Sequence, residues 1–135
     1  MNTKPALTAE DVKKILAAAE AHAAKNGWAV TIAVVDDGGH ALGLLRLDGA
    51  PPISGHIAPA KAQTAALGRR ESRVYEENIN NGRYSFLSAP LLQGMLEGGV
   101  PIVANGTVVG AVGVSGVKSS EDADIARVGI AALGL

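Results

Sequence analysis

The sequence predicts an α+β fold in which helices pack on the faces of one antiparallel sheet. Three observations carry that prediction. Residues 30–50 and 100–114 each read as an apolar strand, a glycine-bearing turn and a return strand. Amphipathic helical patterns stand at both ends of the chain, and a further helix lies between the two hairpins. The strands come in adjacent pairs instead of alternating singly with helices, which argues against a doubly wound parallel sheet.

The elements follow in order. Residues 1–7 are expected to form a loose arm of a single domain spanning 1–135. Thr8 then offers a side-chain acceptor for the first free amides of a helix, with Glu10 and Asp11 in its first turn. Val12, Ile15, Leu16, Ala19 and Ala23 recur at helical spacing, and Gly27 is placed to end the helix in a left-handed conformation. His22 falls at the margin of that stripe, where the plain reading is a half-buried surface histidine.

Thr31 to Val35 is an apolar, partly β-branched run. Asp36-Asp37-Gly38-Gly39 supplies the turn, and residues 41–47 return. His40 stands where the turn hands over to the second strand, with Arg46 and Asp48 near its far end. Polar groups at the ends of an apolar hairpin make it the first place to look for a site.

Pro51-Pro52 breaks regular structure, and Ser54 is positioned to cap a second helix running to about Leu67. Its small residues, Ala60, Thr64 and Ala65 among them, predict close packing against the sheet. His56 lies in the first turn, near amide donors that disfavour a protonated ring. Lys61 lies beside the narrow face. It reads either as a solvated lysine whose stem covers apolar surface or as a cation for a ligand. Ser72 is placed to cap a short helix, and Asn80-Asn81-Gly82-Arg83 turns the chain into Tyr84-Ser85-Phe86. That aromatic pair reads as a ligand-facing wall or as a satellite cluster under a loop.

Asn105-Gly106 between apolar runs is a strong hairpin signal. Gly110 and Gly113 thin the return strand, as close approach of a helix or ligand requires. Ser119-Ser120-Glu121-Asp122 opens the last helix, and its acids fill the positive end where an anion would otherwise bind.

Composition narrows the function. The chain is 47% hydrophobic but only 3% aromatic, so Ala, Val, Ile and Leu must fill its core. A net charge of -1 makes no case for nucleic acid or an anionic membrane surface. No run approaches the roughly 18 apolar residues of a membrane span. The start MNTKPALTAEDV lacks the apolar segment of a secretory signal, so the cytoplasm is the expected compartment. Without cysteine there is no thiolate nucleophile and no cysteine-based metal site.

Four ordered blocks resemble a known family: VVDDGGHALGLLRLDGA (34–50), IAPAKAQTAAL (57–67), GGVPIVANGTVVGAVGVSG (98–116) and EDADIARVGIAAL (121–133). The chain looks like the GlcG/HbpS-type haem-binding proteins, and is similar to the C-terminal domain of PduO-type cobalamin adenosyltransferases. The resemblance implies a profilin-like fold, with a central antiparallel sheet of about five strands between helices. It also implies homo-oligomers, haem or another small ligand in some members, and a place in catabolic gene clusters. Asp36, Gly39, His40, Arg46, Asp48, Lys61, Gly98 and Gly99 match the family's blocks. The chain departs from them in the middle, where it reads YSFLSAPLLQGMLEGG (84–99).

Three functions then compete. In a haem-binding module the axial ligand comes from His22, His40, His56 or Tyr84. In a small catabolic enzyme, His40 or His56 serves as base, Asp36 orients a histidine, and Arg46, Lys61 or Arg83 holds a carboxylate. In an assembly protein these groups only fix contacts between copies. His40, Arg46 and Lys61 are expected to share a pocket, with His22 or His56 as the alternative if they do not.

Overall fold

The computed structural model describes all of residues 1–135. The chain forms α1 (Ala9–Lys25), β1 (Thr31–Asp36), β2 (Ala41–Arg46), α2 (Ser54–Gly68), α3 (Ser72–Asn80), a 3₁₀ turn (Tyr84–Ser88), β3 (Gly99–Ala104), β4 (Thr107–Ser115) and α4 (Ser119–Ala131). The four strands make one sheet in the order β2-β1-β4-β3, antiparallel throughout. The expected strand count of about five is thus four. Residues 81–98 hold turns, the 3₁₀ turn and Leu91 at φ +66°, and none of them joins the sheet.

Local chemistry explains most boundaries. The Thr8 hydroxyl accepts from the Asp11 amide at 3.2 Å and the Asp11 carboxylate accepts from the Thr8 amide at 2.8 Å, a reciprocal cap. Asn105 and Gly106 both take positive φ, +51° and +74°, as the tight β3–β4 turn demands. Ser54 and Ser72 do not cap. Ser54 is buried as the first residue of α2, its hydroxyl 2.8 Å from that of Thr31 on β1. Ser72 accepts from the Gly99 amide at 2.8 Å and donates to the Leu96 carbonyl. Both serines fasten a helix to a distant element, Ser54 through a side chain and Ser72 through backbone, instead of satisfying their own helix end.

β1 lies between two strands and is buried from Thr31 to Val35. On one side of the sheet, α1 and α4 bring Val12, Ile15 and Ile125 against Ile32, Val34, Ile102 and Val112. On the other, α2 lays Ala58, Ala62, Ala65 and Ala66 on Ala33, Val35 and Ala111. A Cβ on Gly113 would lie 2.1 Å from the Ala58 carbonyl oxygen and 2.5 Å from the Ala62 nitrogen. The thin strand therefore admits the helix backbone itself. Before α1, Leu7 packs on the first core and Lys4 pairs with Asp37 in the hairpin turn.

Candidate functional site

The β1–β2 hairpin is built by one carboxylate. Asp36 Oδ1 accepts from the amides of Gly38 at 2.9 Å and His40 at 3.0 Å, with the His40 ring Nδ1 3.3 Å away. Burial acts to raise the Asp36 carboxyl, but those two amides and the His40 ring outweigh it and hold the group below its ordinary range. Gly39, at φ +81°, seats the turn against Gln63 and Leu67 of α2.

Immediately after the turn the register slips, so that Ala41 and Leu42 together oppose Val35. Such a bulge turns an extra side chain to one face. Beyond it, Leu44 pairs with Ala33 and Arg46 with Thr31. Leu44 therefore shares the α2 side with Ala33, while Gly43 turns toward Val12 and Leu16 of α1. Ala41, Leu42, Leu44 and Arg46 are all exposed. The α2 side of this edge strand is bare and apolar, with a cation at its end.

Between that strand and α2 runs a trough of about 290 Å³. Val35, Gly39 and Ala41 form one wall, while His56, Pro59 and Gln63 form the other. Gln93 also lines the trough and borders a second cleft, about 340 Å³, whose apolar walls include Ile79, Leu87, Met95 and Leu96. His56 is exposed and lines the trough. His40 is exposed directly before Ala41.

The other residues singled out by sequence separate into different places. Lys61 is only 3% exposed, and its ammonium donates to Asp122 Oδ2 at 3.1 Å and to the Val114 carbonyl at 2.9 Å. Asp122 also accepts from the Val117 amide at 3.2 Å. Burial pushes the Asp122 carboxyl up, and the Lys61 ammonium opposes it. Gly98 and Gly99 belong to the same knot: a Cβ on Gly98 would meet the Lys61 ammonium at 2.7 Å, and one on Gly99 the Lys61 carbonyl at 2.2 Å. These three residues lock α2 to the end of β4 and to α4.

His40, Arg46 and Lys61 accordingly do not share a pocket. No cavity is lined by two of them, and His40 and Arg46 flank opposite ends of β2. Asp48 lines a separate cleft beside Trp28. His22 Nε2 lies 2.8 Å from Asp124 on α4, with its ring edge-on to Trp28. Arg83 stacks on Phe86 at 4.6 Å, and Tyr84 is exposed. Two participants went unread in sequence. Asp122 looked like one of several first-turn acids, and Gln93 lies in an irregular stretch that carries no periodic signal.

No group of three or more His, Asp or Glu side chains converges as a protein-only metal centre requires. Haem needs less from the chain, because the porphyrin supplies four nitrogens and one imidazole suffices beneath it. His56 lines the trough and fits that donor set, with the bare Leu42 and Leu44 of β2 as apolar cover for a ring.

The model of the family described as "Haem degrading protein HbpS-like" matches residues 7–131. Protein GlcG of Escherichia coli K12 is 55% identical over 115 residues, 85% of each chain. A double mutant of HbpS from Streptomyces reticuli superposes with a TM-score of 0.89 at 34% identity, covering 100% of this chain and 92% of that one. A PduOC–haem complex superposes at 0.83 and 28% identity, over 95% of each chain. The chain belongs to the HbpS-like family.

Proposed function

We propose that the protein binds haem, or another flat apolar ligand bearing carboxylates, in the trough between β2 and α2. One observation carries this: the α2 side of β2 is apolar and uncovered, with His56 beside it and Arg46 at its end. Leu42 and Leu44 are 42% and 51% exposed, apolar area that gains free energy from any cover. The likeness to a haem complex supports the choice of ligand.

In this reading His56 would supply the imidazole that holds haem, Leu42 and Leu44 would give apolar cover, and Arg46 would hold a carboxylate. Bound haem supplies ligand exchange and redox chemistry at its iron. The chain holds, orients and partly shields it. A second copy closes the open side of the trough, which makes the protein a homo-oligomer. The competing enzymatic reading has the Asp36–His40 pair in its favour. It is the weaker one, because Asp36 is already committed to the turn amides and Lys61 to Asp122.

Hemin titration followed in the Soret region tests this. The parent should give a saturable shift, and His56→Ala should lose it while His40→Ala and His22→Ala keep it. Arg46→Ala should bind about tenfold more weakly, the worth of one charge-assisted hydrogen bond. Replacing Leu42 and Leu44 by Ser should lower both haem affinity and the mass seen by light scattering. Parent-like binding by His56→Ala moves the site elsewhere, and no shift in the parent ends the haem reading.

A further inference from the structure

A third cleft shares none of the trough's lining residues. It measures about 290 Å³ and sits between the last turns of α1, the link at 27–29 and the end of β2. Trp28 and Leu47 give it an apolar wall, and Glu20 and Asp48 contribute two carboxylates. Trp28 is the single tryptophan of the chain.

Those two carboxylates are unlike most acids in this protein. Asp11, Asp36, Asp37, Glu71, Glu77 and Asp122 are each engaged by a cation or by backbone amides. Glu20 and Asp48 enter none of the chain's ion pairs. His22, edge-on to Trp28, has its Nε2 on Asp124, and Lys25 and Arg46, next in the chain to the lining residues Ala24 and Leu47, form no ion pair with either carboxylate. The cleft thus combines an aromatic ring, apolar carbon and two carboxylates that no cation of the chain satisfies.

An aromatic face attracts a cation through its quadrupole, most strongly when the ring is tryptophan. Carboxylates at the rim add to that attraction. The aliphatic lining favours a cation that carries carbon over a bare metal ion, which needs several converging oxygens. We propose that this cleft is a binding site for a small organic cation, an alkylammonium or alkylguanidinium group on a short apolar stem.

The sole tryptophan makes the site its own reporter. Trp28 fluorescence should change saturably on titration with n-butylammonium chloride, with half-saturation in the millimolar range. Sodium chloride at matched ionic strength and n-butanol at matched concentration should not reproduce the change. Glu20→Gln and Asp48→Asn should each weaken binding about two- to fivefold, the worth of an exposed ion pair. The double variant should lose saturation while melting like the parent. Trp28→Phe, followed by calorimetry, should also bind more weakly. A non-saturating response, equal responses to salt or butanol, or unchanged binding in the folded double variant would overturn the proposal.

Discussion

The two faces of the sheet are packed by different means. The α1/α4 side is filled by isoleucine and valine from both helices and from the strands. Each such side chain contributes about 1.5–3 kcal/mol by leaving water. The α2 side is almost all alanine, and its strands carry glycine where the helix backbone touches them. Stability there comes from close approach, because there is little side chain to bury. Two helices cover the thick side. The single helix of the thin side lies over β4, β1 and β3 but scarcely reaches β2. The uncovered strip is where the candidate site stands. In this fold a thin layer yields both the tightest packing and the bare edge.

That contrast can be broken most severely at Gly113. Gly113→Val places carbon within the α2 backbone and should cost more than about 4 kcal/mol or abolish folding. Ile125→Val on the thick side removes one methylene and should cost only about 0.5–1.5 kcal/mol. Denaturant melts of the two variants measure the difference, and equal losses would mean that the layers are not distinct.

Next in size is the knot that joins the layers. Lys61→Met leaves Asp122 charged and buried without its cation, at a cost of about 3–5 kcal/mol. Adding Asp122→Leu should recover much of that loss, since the remaining desolvation penalty disappears. A double variant no more stable than Lys61→Met would show that the pair acts through something other than its charges.

At the rim of the trough, Gly39→Val should lose about 1–3 kcal/mol, because its φ is +81° and Gln63 and Leu67 stand against it. His40→Ala, one residue on and exposed, should cost far less. Parent-like thermal stability of Gly39→Val would mean the turn rearranges freely.

The smallest expected effect is on pH dependence. The Asp36 carboxyl is held below its ordinary range in the folded chain, so its contribution is present at neutral pH and lost on acidification. The parent should exceed Asp36→Ala in Tm at pH 7, and the gap should narrow below about pH 4. A gap independent of pH would assign the effect to packing.

Much of this architecture is legible in sequence wherever the deciding contacts are local. Thr8 and Asp11 lie three residues apart, and the cap they form is visible in the letters. Asn105-Gly106 names its own turn, and Gly113 announced a close approach. Ser54 and Ser72 show the boundary of that reading. A serine before a helical pattern usually caps, yet these two are drawn into the interior by partners on other elements.

The sequence by itself therefore determined the α+β class, the hairpins, the helix starts built on neighbouring residues and the family. Each depends on contacts within a few positions or on blocks of residues read in order. Only the tertiary structure decided what the polar groups do. Lys61 reads equally well as solvent-exposed or ligand-binding until α4 brings Asp122, 61 residues away, onto its ammonium. His40 and Arg46 are near neighbours in the chain, but an extended strand rises about 3.3 Å per residue and carries them to opposite ends. His56 comes beside Ala41 of β2 through packing alone. The free energy of a buried charge or an exposed leucine depends on what lies across the gap, and the chain's local pattern does not contain that.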